Sequence, residues 1–347
     1  MIIAISILFF FSCLVALFEE ELANIKWKIY IGIGVLLVFF AAIRPIGMDN
    51  DSENYELYFV RYDHPLLVIT VEYSFRVISK WFYLWFHDVH SIFFLYAALG
   101  LSLKFIAFKK LTSLPLLAVA VYIGNYYILH EFTQIRVGVA SGLLLLAIKP
   151  LSEKNYKKTF VLFLLAIVFH YSSIILLPLM LLSNKELTRK NKIIWASLIP
   201  LGYIFYFLNI NITSLPIPYI SEKLDAYQGL KDQGYIDEVN VFNLVFFVRI
   251  IIFFYILYMY DLIKEHNKYL PLMIKLMALS LFSFTALSSL PVLAFRISEL
   301  YGITEIILFT NIFYTIQPKP LAKIIVITIS ITLFCISVFY NGIIQIM

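Results

Sequence analysis

Apolar runs of about 18 to 22 residues recur along the whole chain, each long enough to cross a hydrocarbon core of about 30 Å. They lack the strict alternation and turn spacing of a barrel, so the spans read as helices. In lipid the backbone must satisfy its own polar groups, which a helix does within one segment. Only 14% of the 347 residues are charged and 62% are apolar, against roughly 25% charged in soluble domains. Folding alone could not hide that much apolar surface from water, so the expected fold class is an all-α polytopic membrane protein. The net charge of +5 gives no nucleic-acid signal, because the basic residues sit in short loops between apolar runs. Cys13 and Cys335 both fall inside such runs and read as buried thiols, with no disulfide framework. The stretch from Met1 to Phe18 lacks a basic leader and a small-residue cleavage site, so it is expected to be a retained first helix.

Helices are expected at 1–18, 26–43, 91–108, 114–130, 134–149, 193–210, 241–260, 271–290, 293–314 and 323–346, which makes about ten or eleven spans. Lysines crowd loops 104–113 (Lys104, Lys109, Lys110), 149–158 (Lys149, Lys154, Lys157, Lys158), 261–270 and 315–323. The basic side of short loops normally faces the cytosol, so the N-terminus is expected outside. The two long loops, 44–90 and 211–240, then face away from the cytosol. Both are acidic: seven carboxylates against four basic residues in the first, five against two in the second.

One segment breaks the alternation. Loops 149–158 and 183–192 are both basic, yet only 159–182 lies between them. A single span would put one of them outside; a re-entrant hairpin turning near Phe169-His170-Tyr171 would not. Two arms of about 11 residues each rise about 16 Å, and the hairpin is the expectation adopted. Within loop 44–90 the stretch 65–86 is too charged to cross, and its aromatics suit a helix lying in the interface. No repeat or low-complexity linker divides the chain, so 1–347 reads as a single transmembrane domain.

Charged groups close to a span are costly and mark either a function or a buried pair. Arg44 ends the second helix, followed by Gly47, Asp49, Asp51 and Tyr55. His130, Glu131, Gln134 and Arg136 fill the turn between the fourth and fifth helices. His170 sits at the hairpin apex, and Arg296, Glu299 and Tyr301 near the start of a late helix. The expectation is that Arg44, Arg136 and Arg296 converge at one depth. Bland readings stand beside this one: Arg44 snorkelling, Arg136 paired with Glu131, Arg296 neutralised by Glu299 one turn on, and His170 as a core residue. Arg249, mid-span, reads as structurally paired. Gly138 and Gly142 read as helix packing. Guanidinium forks suit a diphosphate, and Asp49 or His170 could take a proton from a sugar hydroxyl. Asp49-x-Asp51 is a weak pattern for Mg or Mn; no metal or other cofactor is expected. Tyr219, Tyr227 and Tyr235, spaced by eight in loop 211–240, suit sugar faces.

In order and spacing, "RPIGMDNDSENY", "VEYSF", "QIRVGVASGLLLLAI", "VFHYSSIILLP" and "FRISELY" give a chain that resembles the EpsG-like branch of the Wzy-type bacterial polysaccharide polymerases, over residues 1 to 315. The resemblance implies a GT-C-like helical enzyme in the bacterial inner (cytoplasmic) membrane with its site facing outward. It implies transfer of a growing glycan from undecaprenyl diphosphate to a lipid-linked repeat unit of an O-antigen, capsule or exopolysaccharide. On that reading Asp49 and His170 are catalytic and Arg44, Arg136 and Arg296 hold diphosphate. Tyr55, His130, Gln134, Glu299, Tyr301 and Tyr227 contact the sugars. A chain-length regulator and a flippase of the same pathway are the implied protein partners. The rival classes are a lipid-linked oligosaccharide flippase, which would show paired repeats and a midplane cation path, and an O-antigen ligase, with one dominant late loop.

Overall fold

The structure, a computed structural model, describes residues 1–65, 67, 71–208 and 239–345. Among these residues no strand occurs; the one extended pairing is an isolated antiparallel bridge between Asp49 and Ile344. The chain is all-helical and membrane-embedded in character. Three helices are long and apolar enough to cross a bilayer (His90–Leu111, Ile135–Ser152 and Lys319–Tyr340), accompanied by shorter apolar helices such as Ile2–Leu17 and Leu270–Ala286. By internal contact the chain falls into two compact units, Met1–Leu182 with Ile306–Met347, and Ser183–Glu305.

The first unit opens with α1 (Ile2–Leu17) and α2 (Lys26–Ala42), followed by α3 (Ser52–Val60), α4 (Tyr73–Phe86) and α5 (His90–Leu111). The α3 helix lies in the first long loop, where no helix is expected before residue 65. Within the aromatic stretch 65–86 a helix occupies Tyr73–Phe86, with Trp81, Trp85 and Phe86 exposed along it. Next, α6 (Pro115–Tyr122) runs on as π-helical turns Ile123–Tyr127 and Leu129–Thr133 before α7 (Ile135–Ser152) and α8 (Tyr156–Phe169). Pro115 opens α6, and the carboxylate of Glu19 takes the otherwise unpaired N–H groups of Leu116 and Leu117 at 3.2 and 3.1 Å. Lys26 neutralises that carboxylate at 2.6 Å.

The expected break at 169–172 is present. Helix α8 stops at Phe169, His170 is extended, and a 3-10 helix, Tyr171–Leu181, follows and packs against α8. At the core of the unit, α5 lies along α7, and α7 along α8. Gly142 makes the approach to α5 close, and Gly138 does the same for the π-helical turn that carries His130. A Cβ on Gly138 would collide with the His130 carbonyl oxygen, and one on Gly142 would sit 2.8 Å from Leu103 Cβ on α5.

Lys104 departs from expectation. It was assigned to a basic loop, but it lies within α5 and is fully buried. Its Nζ donates to Glu131 Oε1 at 2.6 Å and to the Gly138 carbonyl at 2.7 Å. Loop-charge counting fails for a lysine whose partner arrives from another helix.

The second unit holds α9 (Arg189–Ala196), α10 (Leu198–Phe207), α11 (Leu244–Tyr258), α12 (Tyr260–Ile263), α13 (Leu270–Ala286) and α14 (Pro291–Gly302). The span expected at 193–210 is thus two helices meeting at Ser197. The one expected at 293–314 ends at Gly302 and resumes as α15 (Glu305–Thr310). Helix α13 is the hub, against which α10, α11 and α14 pack. The last long helix, α16 (Lys319–Cys335), belongs to the first unit and packs on α6.

Candidate functional site

The turn after α2 is built around Gly47, whose φ of +81° suits a residue without a side chain. Its N–H donates to Ser52 Oγ at 2.9 Å, and Asp51 N–H donates to Asp49 Oδ1 at 3.1 Å. Arg44 is wholly buried here. Its Nε donates to Asp49 Oδ2 at 3.0 Å, Nη1 to the Ala41 carbonyl at 2.7 Å and Nη2 to the Phe132 carbonyl at 3.0 Å. The guanidinium also stacks 3.6 Å over the Phe93 ring. It therefore ties the end of α2 to the end of α6, and it does not snorkel. Both Asp49 oxygens are engaged, one by a cation, which does not suit a divalent ion shared with Asp51. No group of three His, Cys, Asp or Glu side chains able to hold a metal occurs among the described residues. The chain's last described residues close over this turn: Gln345 N–H donates to the Met48 carbonyl at 2.8 Å, beside the Asp49–Ile344 bridge.

A second constellation lies around Glu72, the residue that opens α4. Its Oε1 accepts from His170 Nδ1 at 2.9 Å, and its Oε2 pairs with Arg136 Nη1. Three distant segments meet on this one carboxylate. Two further bonds fasten it: Tyr73 N–H donates to Tyr171 Oη at 2.9 Å, and Ser74 Oγ donates to the Val168 carbonyl. Tyr55 stands alongside, its ring 5.7 Å from the Arg136 guanidinium and its hydroxyl donating to the Thr133 carbonyl at 3.0 Å. The Phe75 ring lies 5.5 Å from the same guanidinium.

The electrostatics follow from this packing. Burial alone would raise the Glu72 carboxyl, but the His170 hydrogen bond and the Arg136 and His170 charges outweigh it and hold the group down at about 2. Glu72 is thus an anion at any working pH. Burial pushes the Tyr55 phenol up to about 12 against the opposing pull of Arg136, so it remains a neutral donor.

His130 is fully buried, its ring 4.9 Å from that of Tyr126 and its Nδ1 3.3 Å from Ser141 Oγ. Glu131 turns inward to Lys104 and accepts also from Tyr122 Oη at 2.5 Å; it is not the partner of Arg136. Gln134 marks the break between α6 and α7, where its N–H closes on the Leu129 carbonyl at 2.7 Å. Arg296, Glu299 and Tyr301 belong to the second unit, all on α14. Arg296 is half-buried and forms no ion pair with Glu299 or any other described acid. Arg249 is paired, its Nε 3.4 Å from the buried Glu305 carboxylate. Tyr227 lies outside the described residues.

Sequence reasoning missed Glu72 and Lys104. The available signal for Glu72 was its place in "VEYSF", an acid directly before an amphipathic aromatic helix.

Fold and site together define an all-helical membrane protein in which a buried carboxylate clamps an arginine to a histidine at the helix ends. The chain belongs to the EpsG family, whose model matches residues 27–346. No curated protein and no solved structure matches it. Family membership suggests a polysaccharide-polymerase type of function. The match runs past residue 315, the limit of the resemblance in motifs, and takes in the tail that closes over the Asp49 turn.

Proposed function

We propose that the chain is a Wzy-type polymerase of a bacterial surface polysaccharide, acting at the face of the cytoplasmic membrane away from the cytosol. It would transfer a growing glycan from undecaprenyl diphosphate to the non-reducing end of a lipid-linked repeat unit. The observation that carries this reading is Glu72, held by Arg136 on one side and bonded to His170 on the other. A carboxylate on Nδ1–H fixes the neutral imidazole tautomer whose Nε2 is basic. In this reading the acceptor hydroxyl gives its proton to His170 Nε2 while its oxygen bonds to the donor's anomeric carbon. The bond from that carbon to the diphosphate oxygen breaks, and undecaprenyl diphosphate leaves with the electron pair.

Arg136 is a proposed diphosphate ligand, since a fixed guanidinium stabilises charge that develops on a leaving group; for Arg296, in the second unit, the same role is proposed from the sequence alone. Arg44 and Asp49, expected from sequence as ligand and base, become here a buried brace that sets the turn beside Tyr55. Tyr55, Gln134, Glu299, Tyr301 and Tyr227 are proposed to meet the sugars. The 159–182 segment is proposed to be re-entrant, with His170 at its apex. No metal is assigned, and the chain-length regulator and flippase remain proposed partners.

The deciding experiment is to give purified protein a defined undecaprenyl-diphosphate-linked repeat unit. A ladder of polymer, absent with His170→Ala and Glu72→Ala, is the expected result. Wild-type ladders from both variants would overturn the assignment of the site. In cells, a deletion that leaves single repeats on the final acceptor fits a polymerase. Loss of all repeats fits a flippase, and polymer stranded on the carrier fits a ligase.

A further inference from the structure

A groove of about 600 Å³ runs along the first unit between α2 and α5. Its described lining is largely apolar; the polar side chains are Trp27, Ser102, Lys109 and Tyr30, whose hydroxyl is taken up by the Phe105 carbonyl at 2.7 Å. Trp27 and Lys109 lie at one end, Phe39 and Phe94 at the other, with Gly34 facing Phe105 between them. From Trp27 to Phe39 the helix rises about 18 Å at 1.5 Å per residue. That is close to one leaflet of a core about 30 Å thick, and well short of a full span.

Charge distinguishes the two ends. Lys109 Nζ sits 4.6 Å over the Trp27 ring and has no acidic partner among the described residues. Lys28 and Lys110, next in sequence to Trp27 and Lys109, are exposed, whereas Lys26 is neutralised by Glu19. Glu20 and Glu21 are exposed in the neighbouring loop and are the acids nearest in sequence. The Phe39 end has no charged lining residue. A tryptophan with uncompensated lysines at the end of an apolar channel is the arrangement that suits a phosphate at the interface and a chain beneath it.

We propose that the groove between α2 and α5 holds an acyl chain of an anionic glycerophospholipid from the leaflet on the Lys109 side, with the lipid phosphate on Lys109. The inference is independent of the polymerase reading. It commits to a phospholipid over a polyprenyl chain because the groove is one leaflet long and Lys109, the one cation among its described lining residues, marks the end where the head must lie.

Trp27 reports on the site. In a variant with Trp81, Trp85 and Trp195 changed to Phe, Trp27 fluorescence is measured in vesicles of brominated phosphatidylglycerol mixed with phosphatidylcholine, and in the reverse labelling. The expected result is a preference for phosphatidylglycerol of about fivefold, the effect of one interfacial lysine, lost in Lys109→Gln. Equal quenching by the two lipids, or a preference unchanged in Lys109→Gln, overturns the proposal. So does quenching relieved by unlabelled undecaprenyl phosphate but not by unlabelled phosphatidylglycerol. If Lys109→Gln does not give monodisperse protein, the headgroup comparison in the parent variant decides alone.

Discussion

Glu72 Oε1 lies 2.9 Å from His170 Nδ1, although 98 positions separate the two residues in the chain. The carboxylate comes from the start of an amphipathic helix and the imidazole from a break between an α-helix and a 3-10 helix. Neither local structure needs the other to form. Their meeting, with Arg136 on the second oxygen, is the arrangement on which the functional reading rests.

Orientation of the ring by Glu72 has a kinetic consequence. Glu72→Gln keeps a hydrogen-bond acceptor but loses the charge that stabilises a protonated imidazole. Polymerisation is expected to slow about 10-fold or more, and about 100-fold or more in His170→Ala. Ladder formation at saturating lipid-linked substrate checks this. A rate in Glu72→Gln equal to wild type would count against the dyad.

Acid stability should depend on the same carboxylate. Its folded-state value is depressed from 4.5 to about 2, so its contribution is complete above the ordinary carboxyl range. That contribution is lost as pH falls from about 4.5 through about 2. Thermal unfolding in detergent at about pH 5, 4 and 3 should therefore show a steeper fall for wild type than for Glu72→Gln. Parallel curves would contradict the depressed value.

The buried Lys104–Glu131 pair predicts an asymmetry. Lys104→Met or Glu131→Gln alone leaves one group unpaired at full burial and should cost about 3 to 5 kcal/mol. Joint replacement by Met and Leu should recover much of that loss, because the cost of desolvating two charges disappears. A double-mutant cycle on thermal stability measures the difference.

Two glycines offer a matched comparison. Gly138→Ala drives a methyl into the His130 carbonyl and should destabilise by about 1 to 3 kcal/mol. Gly32→Ala meets nothing within 4 Å and should be neutral or slightly stabilising. Equal effects at the two sites would show that α7 does not pack as closely as described.

The proposal that 159–182 is re-entrant can be tested without any assay of activity. Single cysteines at Lys157 and Lys190 should react with an impermeant maleimide from the same side of the membrane. Labelling from opposite sides would make 159–182 a single span.

Much of the framework was legible in the sequence. Apolar runs, the break at His170 and the small-residue face of α7 depend on composition and spacing within a few turns, so a linear reading finds them. The aromatic helix within 65–86 is legible in the same way, and "VEYSF" marks its start, although nothing in that motif alone assigns Glu72 a partner. The linear reading went astray where the partners of a buried cation come from another segment. Arg44 reads from sequence as a diphosphate ligand and Lys104 as a loop residue, because each lies near the end of an apolar run. In the fold both are wholly buried, one against Asp49 and two helix-end carbonyls, the other against Glu131.

Sequence by itself determined that this chain must form apolar helices and which polar residues would be costly to bury, since both follow from transfer energies and local periodicity. Tertiary structure decided which of those residues cancel one another. A buried charge takes whatever partner the packing brings within about 3 Å, and no spacing along the chain encodes that Glu72 will choose Arg136 and His170.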